Sequence, residues 1–195
     1  MIVLGLTGSI GMGKSEAGKA FRALGVPVFD SDGIVHDLFV RDRELVGMID
    51  QEFPGCVIDG TVDRGRLGQC VFGDEEKLKK LEGFIHPRVA QAREAFIAAE
   101  RAKDTPLVVF DVPLLFETGG NKYCDKVVVV SAPEAVQRPR VLSRTGMSEQ
   151  KLDAILAKQM SDAEKRSKAD YVISGADGLE QLAKDVHQLV SELTA

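Results

Sequence analysis

Paired cysteines are missing from this chain. Cys56, Cys70 and Cys124 stand far apart, with none of the short spacings that zinc sites or disulfide frameworks use, so they read as reduced thiols of a cytoplasmic protein. A basic excess is missing too. Thirty acidic against 25 basic residues give a formal charge of −5, which argues against a nucleic-acid partner. No run approaches the roughly 18 apolar residues of a membrane span, and Met1 to Leu6 have neither a basic n-region nor an apolar stretch of signal length. A soluble, unexported protein with no membrane partner is expected. There is no internal repeat and no low-complexity segment. What is present, 195 residues of which 44% are hydrophobic and 28% charged, suits one globular domain with room for an inserted lobe.

Five short apolar runs, Ile2 to Leu6, Val26 to Phe29, Leu107 to Phe110, Lys126 to Val130 and Tyr171 to Ile173, alternate mostly with helical patterns. Continuous β-branched runs between helices predict an α/β fold whose parallel sheet is covered on both faces. Between the second and third runs lie about 75 residues without a strong strand signal, too many for one crossover. Ile85, Val89, Ala92, Phe96 and Ala99 there repeat at helical intervals, Asp59 to Val62 suggest a tight turn, and Pro87 suits a first helical turn. The expected plan is a core of residues 1–31, 104–133 and 169–195, a mainly helical lobe of 32–103 and a lid region of 134–168. Leu179, Leu182, Val186, Leu189 and Leu193 form a packing stripe on the last helix.

Gly8-Ser9-Ile10-Gly11-Met12-Gly13-Lys14-Ser15 fills every fixed place of the pattern GxxxxGKS and stands between a strand and a helix. Glycines let successive backbone N–H groups converge on one concavity, and the helix N-terminus adds partial positive charge, so a polyphosphate such as that of ATP is the natural occupant. Lys14 would reach the β- and γ-phosphates, and the Ser15 hydroxyl is a hard ligand suited to Mg2+. Glu16 either brings negative charge near the phosphates or complements the helix dipole.

Asp30 and Asp32 follow the second strand, at the carboxyl edge where α/β folds bind ligands. One of them can hold an attacking hydroxyl in line with the γ-phosphate; the other reading is a helix N-cap, which suits Asp30 better. Asp111 ends the third run, the place of an aspartate that reaches a magnesium ion. From pattern alone Glu117 is a surface residue or a ligand with equal ease. Between Pro133 and Lys168 fall eight basic residues, among them Arg140 and Arg144, which share a face if helical and suit a lid closing on phosphate; Pro139 predicts a kink or a helix start. His36, His86 and His187 read more simply as structural.

These residues resemble the dephospho-coenzyme A kinase family over nearly the whole chain. The resemblance rests on Gly5-Leu6-Thr7-Gly8 leading into the phosphate loop, Asp30-Ser31-Asp32 with His36, and His86-Pro87-Arg88-Val89. It continues through Asp111-Val112-Pro113-Leu114-Leu115-Phe116-Glu117, Gln137 to Arg144, Gln159 and Ala169-Asp170-Tyr171-Val172-Ile173. It implies a P-loop kinase fold and transfer of the γ-phosphate of ATP to the 3′-hydroxyl of a small acceptor, dephospho-coenzyme A. It further implies that Asp32 is the carboxylate facing that hydroxyl, that Lys14 and Arg140 bind phosphates with Arg144 beside them, and that Thr7, His86, Arg88, Leu115 and Glu117 belong to the acceptor side. Ser9, Glu16, Pro139 and Ser174-Gly175 depart from the family pattern, the last in the adenine-side loop. Without the resemblance, another nucleotide or small-metabolite kinase stays open, as does a nucleotide-binding module without catalysis.

Overall fold

The computed structural model describes residues 1–195. Its chain divides into two compact units, Met1–Phe29 with Glu100–Ala195, and Asp30–Ala99. The inserted lobe therefore begins and ends a few residues before the expected 32 and 103.

The first unit is built on a five-stranded sheet of order β2-β5-β1-β6-β7, from β1 (Ile2–Thr7), β2 (Val28–Asp30), β5 (Leu107–Asp111), β6 (Lys126–Ser131) and β7 (Tyr171–Ser174). All five expected strands form, and β1 pairs in parallel with β5 and β6, as β6 does with β7. In Lys126–Ser131, Val128 and Val130 join one core cluster while Val127 and Val129 join another. Both faces are covered, so the strand needs apolar side chains at successive positions, and its sequence shows a run instead of an alternation. On the first face Leu4, Leu6, Val128 and Val130 pack with Ala17 and Phe21 of α1 (Lys14–Ala23) and Leu182, Val186 and Leu189 of α9 (Leu179–Thr194). Leu179 departs from the expected stripe: in the first turn of α9 it stays 67% exposed.

Between β6 and β7 run α6 (Glu134–Leu142), α7 (Glu149–Leu156) and α8 (Asp162–Lys168). Pro139 lies inside α6 and does not start it. Its missing N–H leaves the Ala135 carbonyl without the usual i+4 donor, yet the helix continues for three residues, with Gln137 and Val141 buried on its inner face.

The second unit holds α2 (Ser31–Arg41), α3 (Arg43–Glu52), the hairpin β3 (Val57–Ile58) and β4 (Thr61–Val62), α4 (Arg64–Val71) and most of α5 (Glu75–Arg101). Asp59 (φ 49°) and Gly60 (φ 75°) make the tight turn expected there, both left-handed as a two-residue hairpin loop requires. Pro87 is not in a first turn. It sits in the middle of α5, a 27-residue helix whose flanking apolar residues Leu81, Phe84 and Ile85 pack into the unit's core with Phe39, Leu45, Ile49 and Phe53. That packing carries the helix through a residue that cannot donate to its ladder.

Every helix of this unit starts at an aspartate. Asp30, Asp42, Asp63 and Asp74 accept from the N–H groups of Gly33, Leu45, Arg66 and Lys77 at 3.0, 3.0, 3.0 and 3.1 Å. Each satisfies a donor the helix cannot, and each places negative charge at the positive end of the dipole. Asp42 also receives the Arg88 Nε at 2.9 Å. The Leu45 N–H and the Arg88 guanidinium together hold its carboxyl below the usual range. A carboxyl depressed in the fold contributes stability above its unfolded value and loses it as pH falls through the folded one. Asp42→Ala is therefore expected to lower stability by about 1–2 kcal/mol at neutral pH, read as a lower Tm, with the gap to wild type closing below about pH 4.

Candidate active site

Thr7 closes β1 and the chain turns at once through the glycine-rich loop into α1. Gly11 and Gly13 take φ of 79° and 103°, which side chains with a Cβ rarely adopt, so the tight path of the loop depends on them. Gly13 caps α1 with no side-chain bond, and the N–H groups of Glu16 and Ala17 already reach the Gly13 carbonyl. The loop is tied down on its outer side. Met12 is buried and its Sδ accepts from the Ala132 N–H at 3.0 Å. The Ile10 carbonyl accepts from Gln137 Nε2 at 2.7 Å, and the Ile10 N–H donates to Gln159 Oε1 at 3.2 Å. Both glutamines come from the lid region and between them hold both backbone polar groups of Ile10 in the phosphate loop. Neither was singled out for that job from the sequence, because nothing local marks a side chain that serves a backbone more than a hundred residues away.

The β1/β5 register sets Leu6 beside Asp111, so the carboxylate emerges next to the strand end that feeds the loop. Lys14 Nζ lies 2.5 Å from Asp111 Oδ1, with the two side chains 16% and 7% exposed. The structure thus joins three of the expected features, loop, lysine and aspartate, at one sheet edge. Ser15 is exposed in the first turn of α1, and Glu16 pairs with Lys19 at 2.8 Å along the helix surface, so its charge is shared with a lysine. The Ser15 hydroxyl and the Asp111 carboxylate offer the hard oxygen donors that a magnesium ion takes.

Arg140 stands in the last turn of α6 and its Nη1 donates to the Gly175 carbonyl at 2.7 Å, in the turn after β7. Arg144 lies past the end of α6, exposed, so the four-residue spacing does not put both arginines on one helical face. Beside the loop opens a cleft of about 910 Å³ lined by Ser9, Met12, Gln137, Gln159, Asp162 and Ser174, a volume suited to a small organic molecule.

The residues assigned to the acceptor side divide. Thr7 is fully buried and donates to the Pro113 carbonyl at 3.0 Å. Leu115 is 1% exposed and packs in the second core with Val127 and Val129. Glu117 accepts the Met160 N–H at 2.8 Å and pairs with Lys165 at 2.9 Å. Burial pushes its carboxyl up, but the Lys165 ammonium and the bonded N–H groups outweigh that and hold it below the usual range. In the other unit, Asp32 and His36 are exposed on α2 and His86 is exposed on α5. Since Asp30 caps α2, the Asp32 carboxylate is not spent on the helix end. Arg88 bonds Asp42, reaches Glu44 at 3.2 Å and donates to the Phe84 carbonyl at 3.0 Å, so much of its donor fork serves the lobe itself.

Comparison with known proteins fits this geometry. A family model described as dephospho-CoA kinase matches residues 2–181. The dephospho-CoA kinase of Mesorhizobium japonicum is 52% identical over 193 residues, covering 99% of this chain and 97% of that protein. That of Paramagnetospirillum magneticum is 57% identical over 166 residues, covering 85% and 78%. Among solved structures, one from Thermus thermophilus matches with a TM-score of 0.83 at 34% identity, covering 100% of this chain and 98% of that one. The dephospho-CoA kinase from Campylobacter jejuni matches at 0.72 with 26% identity, covering 98% and 96%.

Gly175 supplies a test of the site. A Cβ there would stand 1.8 Å from the Met12 carbonyl oxygen, a backbone atom that cannot swing away. Gly175→Ala is expected to displace the phosphate loop and weaken ATP binding about tenfold, about 1.4 kcal/mol, as measured by calorimetric titration.

Proposed function

We propose that phosphoryl transfer is divided between Lys14, Asp111, Arg140 and Asp32 in this chain, which belongs to the dephospho-CoA kinase family. Its reaction phosphorylates dephospho-CoA at the 3′-hydroxyl to give CoA, the last step of CoA synthesis. The observation that carries the division is the meeting of Lys14 and Asp111 at 2.5 Å at the mouth of the glycine-rich loop.

In this reading N–H groups of the phosphate loop cradle the phosphates of ATP, those of Ile10 and Met12 excepted because Gln159 and the Ser9 carbonyl hold them, and the Lys14 ammonium moves from Asp111 onto the β- and γ-phosphate oxygens. Ser15 and Asp111 hold the magnesium ion that accompanies ATP, whose charge offsets that of the phosphates. Arg140, already anchored by the Gly175 carbonyl, lies on the lid side and stabilises the charge that spreads over the transferred group, and the exposed Arg144 adds positive charge in the same lid region. Asp32 accepts a hydrogen bond from the 3′-hydroxyl and holds its oxygen in line with the γ-phosphorus, as the bond to the bridging oxygen of ADP breaks. An exposed carboxylate with no capping duty supports that assignment. His86 belongs to the acceptor side in the same reading. The thiols of Cys56, Cys70 and Cys124, none of them in a disulfide, fit a cytoplasmic enzyme acting on a small soluble substrate.

The purified protein with magnesium ATP and dephospho-CoA is expected to yield CoA by mass spectrometry and to leave a nucleoside monophosphate unphosphorylated. Asp32→Asn should keep the Kd for ATP within about twofold while kcat falls by roughly 10²–10⁴. Unchanged kcat would remove Asp32 from the mechanism. Lys14→Ala is expected to weaken ATP binding and turnover together.

A further inference from the structure

Lys165 is one of eight basic residues between β6 and β7, yet it is wholly buried, with 0% of its side chain exposed. Lysine almost never goes inside without a partner. Its ammonium lies 2.9 Å from Glu117 Oε1 and 3.2 Å from the Pro113 carbonyl. Each acceptor leads back to the phosphate loop by a different route. The Pro113 carbonyl is shared with Thr7 Oγ1, one residue before Gly8. Glu117 Oε1 also takes the Met160 N–H, and the neighbouring Gln159 holds the Ile10 N–H in the middle of the loop. The same segment, two residues earlier, bears Asp111.

Stability does not explain the pair. A buried ion pair is often matched or bettered by well-packed apolar residues. Here Glu117 Oε2 is in addition buried with no hydrogen-bond partner, a cost that a purely structural site has no reason to keep. What an ion pair does supply is direction: it fixes where the atoms bonded to it can be.

We propose that Lys165, through Glu117, is a positioning residue for phosphoryl transfer, holding the Asp111 segment and the Gln159–Met160 return of the lid region in register with the phosphate loop. It touches neither nucleotide nor acceptor. The inference rests on the kinase reading above and adds to it a residue outside the phosphate loop and the segment from Asp111 to Glu117.

The test compares Lys165→Met, Glu117→Gln and the charge-neutral double variant in the full chain, by Tm, kcat and KM for both substrates. Either single change leaves one buried charge alone and is expected to lower Tm and kcat together. The double variant is expected to regain most of the Tm while kcat stays down roughly 10- to 100-fold, the cost of a small misplacement of reacting groups. A double variant with wild-type kcat would show that the pair is only structural and overturn the proposal. If the double variant fails to fold, Gln159→Ala carries the test at a half-buried side chain: a tenfold or greater loss of kcat at unchanged Tm supports the linkage, and wild-type kcat overturns it. Wild-type protein that binds ATP and makes no CoA would overturn the kinase reading instead; positioning is then read from ATP affinity, expected about tenfold weaker in the double variant and contradicted by equal affinity.

Discussion

Lys14 and Asp111 are 97 residues apart in the chain and 2.5 Å apart in the fold. Their meeting depends on one piece of geometry, the parallel pairing of β1 with β5 that sets Leu6 beside Asp111. A slip of one residue would turn the Asp111 side chain to the opposite face and leave the lysine without its carboxylate. The rest of the first unit serves that register. Valines and leucines cover both faces of the central strands, α1 and α9 close one side, and the loop between β1 and α1 inherits its position from the sheet.

Within each unit the charged residues fall into two kinds. Some carry charge toward solvent, as Asp32 and Arg144 do with exposed side chains. Others are consumed by the scaffold: Arg88 by Asp42 and Glu44, Glu117 by Lys165, Glu16 by Lys19. The second kind matters for function because it decides what is left over. Asp30 takes the cap of α2, which leaves the carboxylate two residues later without a structural duty. An acidic excess that looks general in the composition is in part the set of four aspartates that start the helices of the inserted unit.

Legibility in the sequence followed the range of the interaction. Strands buried on both faces appear as apolar runs, a phosphate loop as fixed glycines, and the hairpin turn as Asp59-Gly60, because each depends on neighbours in the chain. Pro87 was misplaced in a first helical turn, and of the two readings of Pro139 the helix start fails, because local preference is overridden by packing that the sequence does not display. Arg144 was set on a helix that ends at Leu142. Lys165 shows the limit most clearly. As one basic residue among eight in the lid region it carried no mark of burial, and only the packing of α8 against β6, with its ammonium on the Pro113 carbonyl, reveals it as an interior cation. The family resemblance named Gln137, Gln159 and Glu117 by position, but their work, holding the Ile10 peptide and the Met160 amide, is visible only in three dimensions.

In the proposed mechanism one buried carboxylate, Asp111, serves the P-loop lysine and the metal-bearing nucleotide in turn. Calorimetric titration of ATP into wild type and Asp111→Ala, each with and without magnesium, tests it most directly. With Lys14 released from its partner, the variant should bind metal-free ATP at least as tightly as wild type and should lose most of the gain in affinity that magnesium brings. A variant that keeps the full magnesium gain would contradict the account.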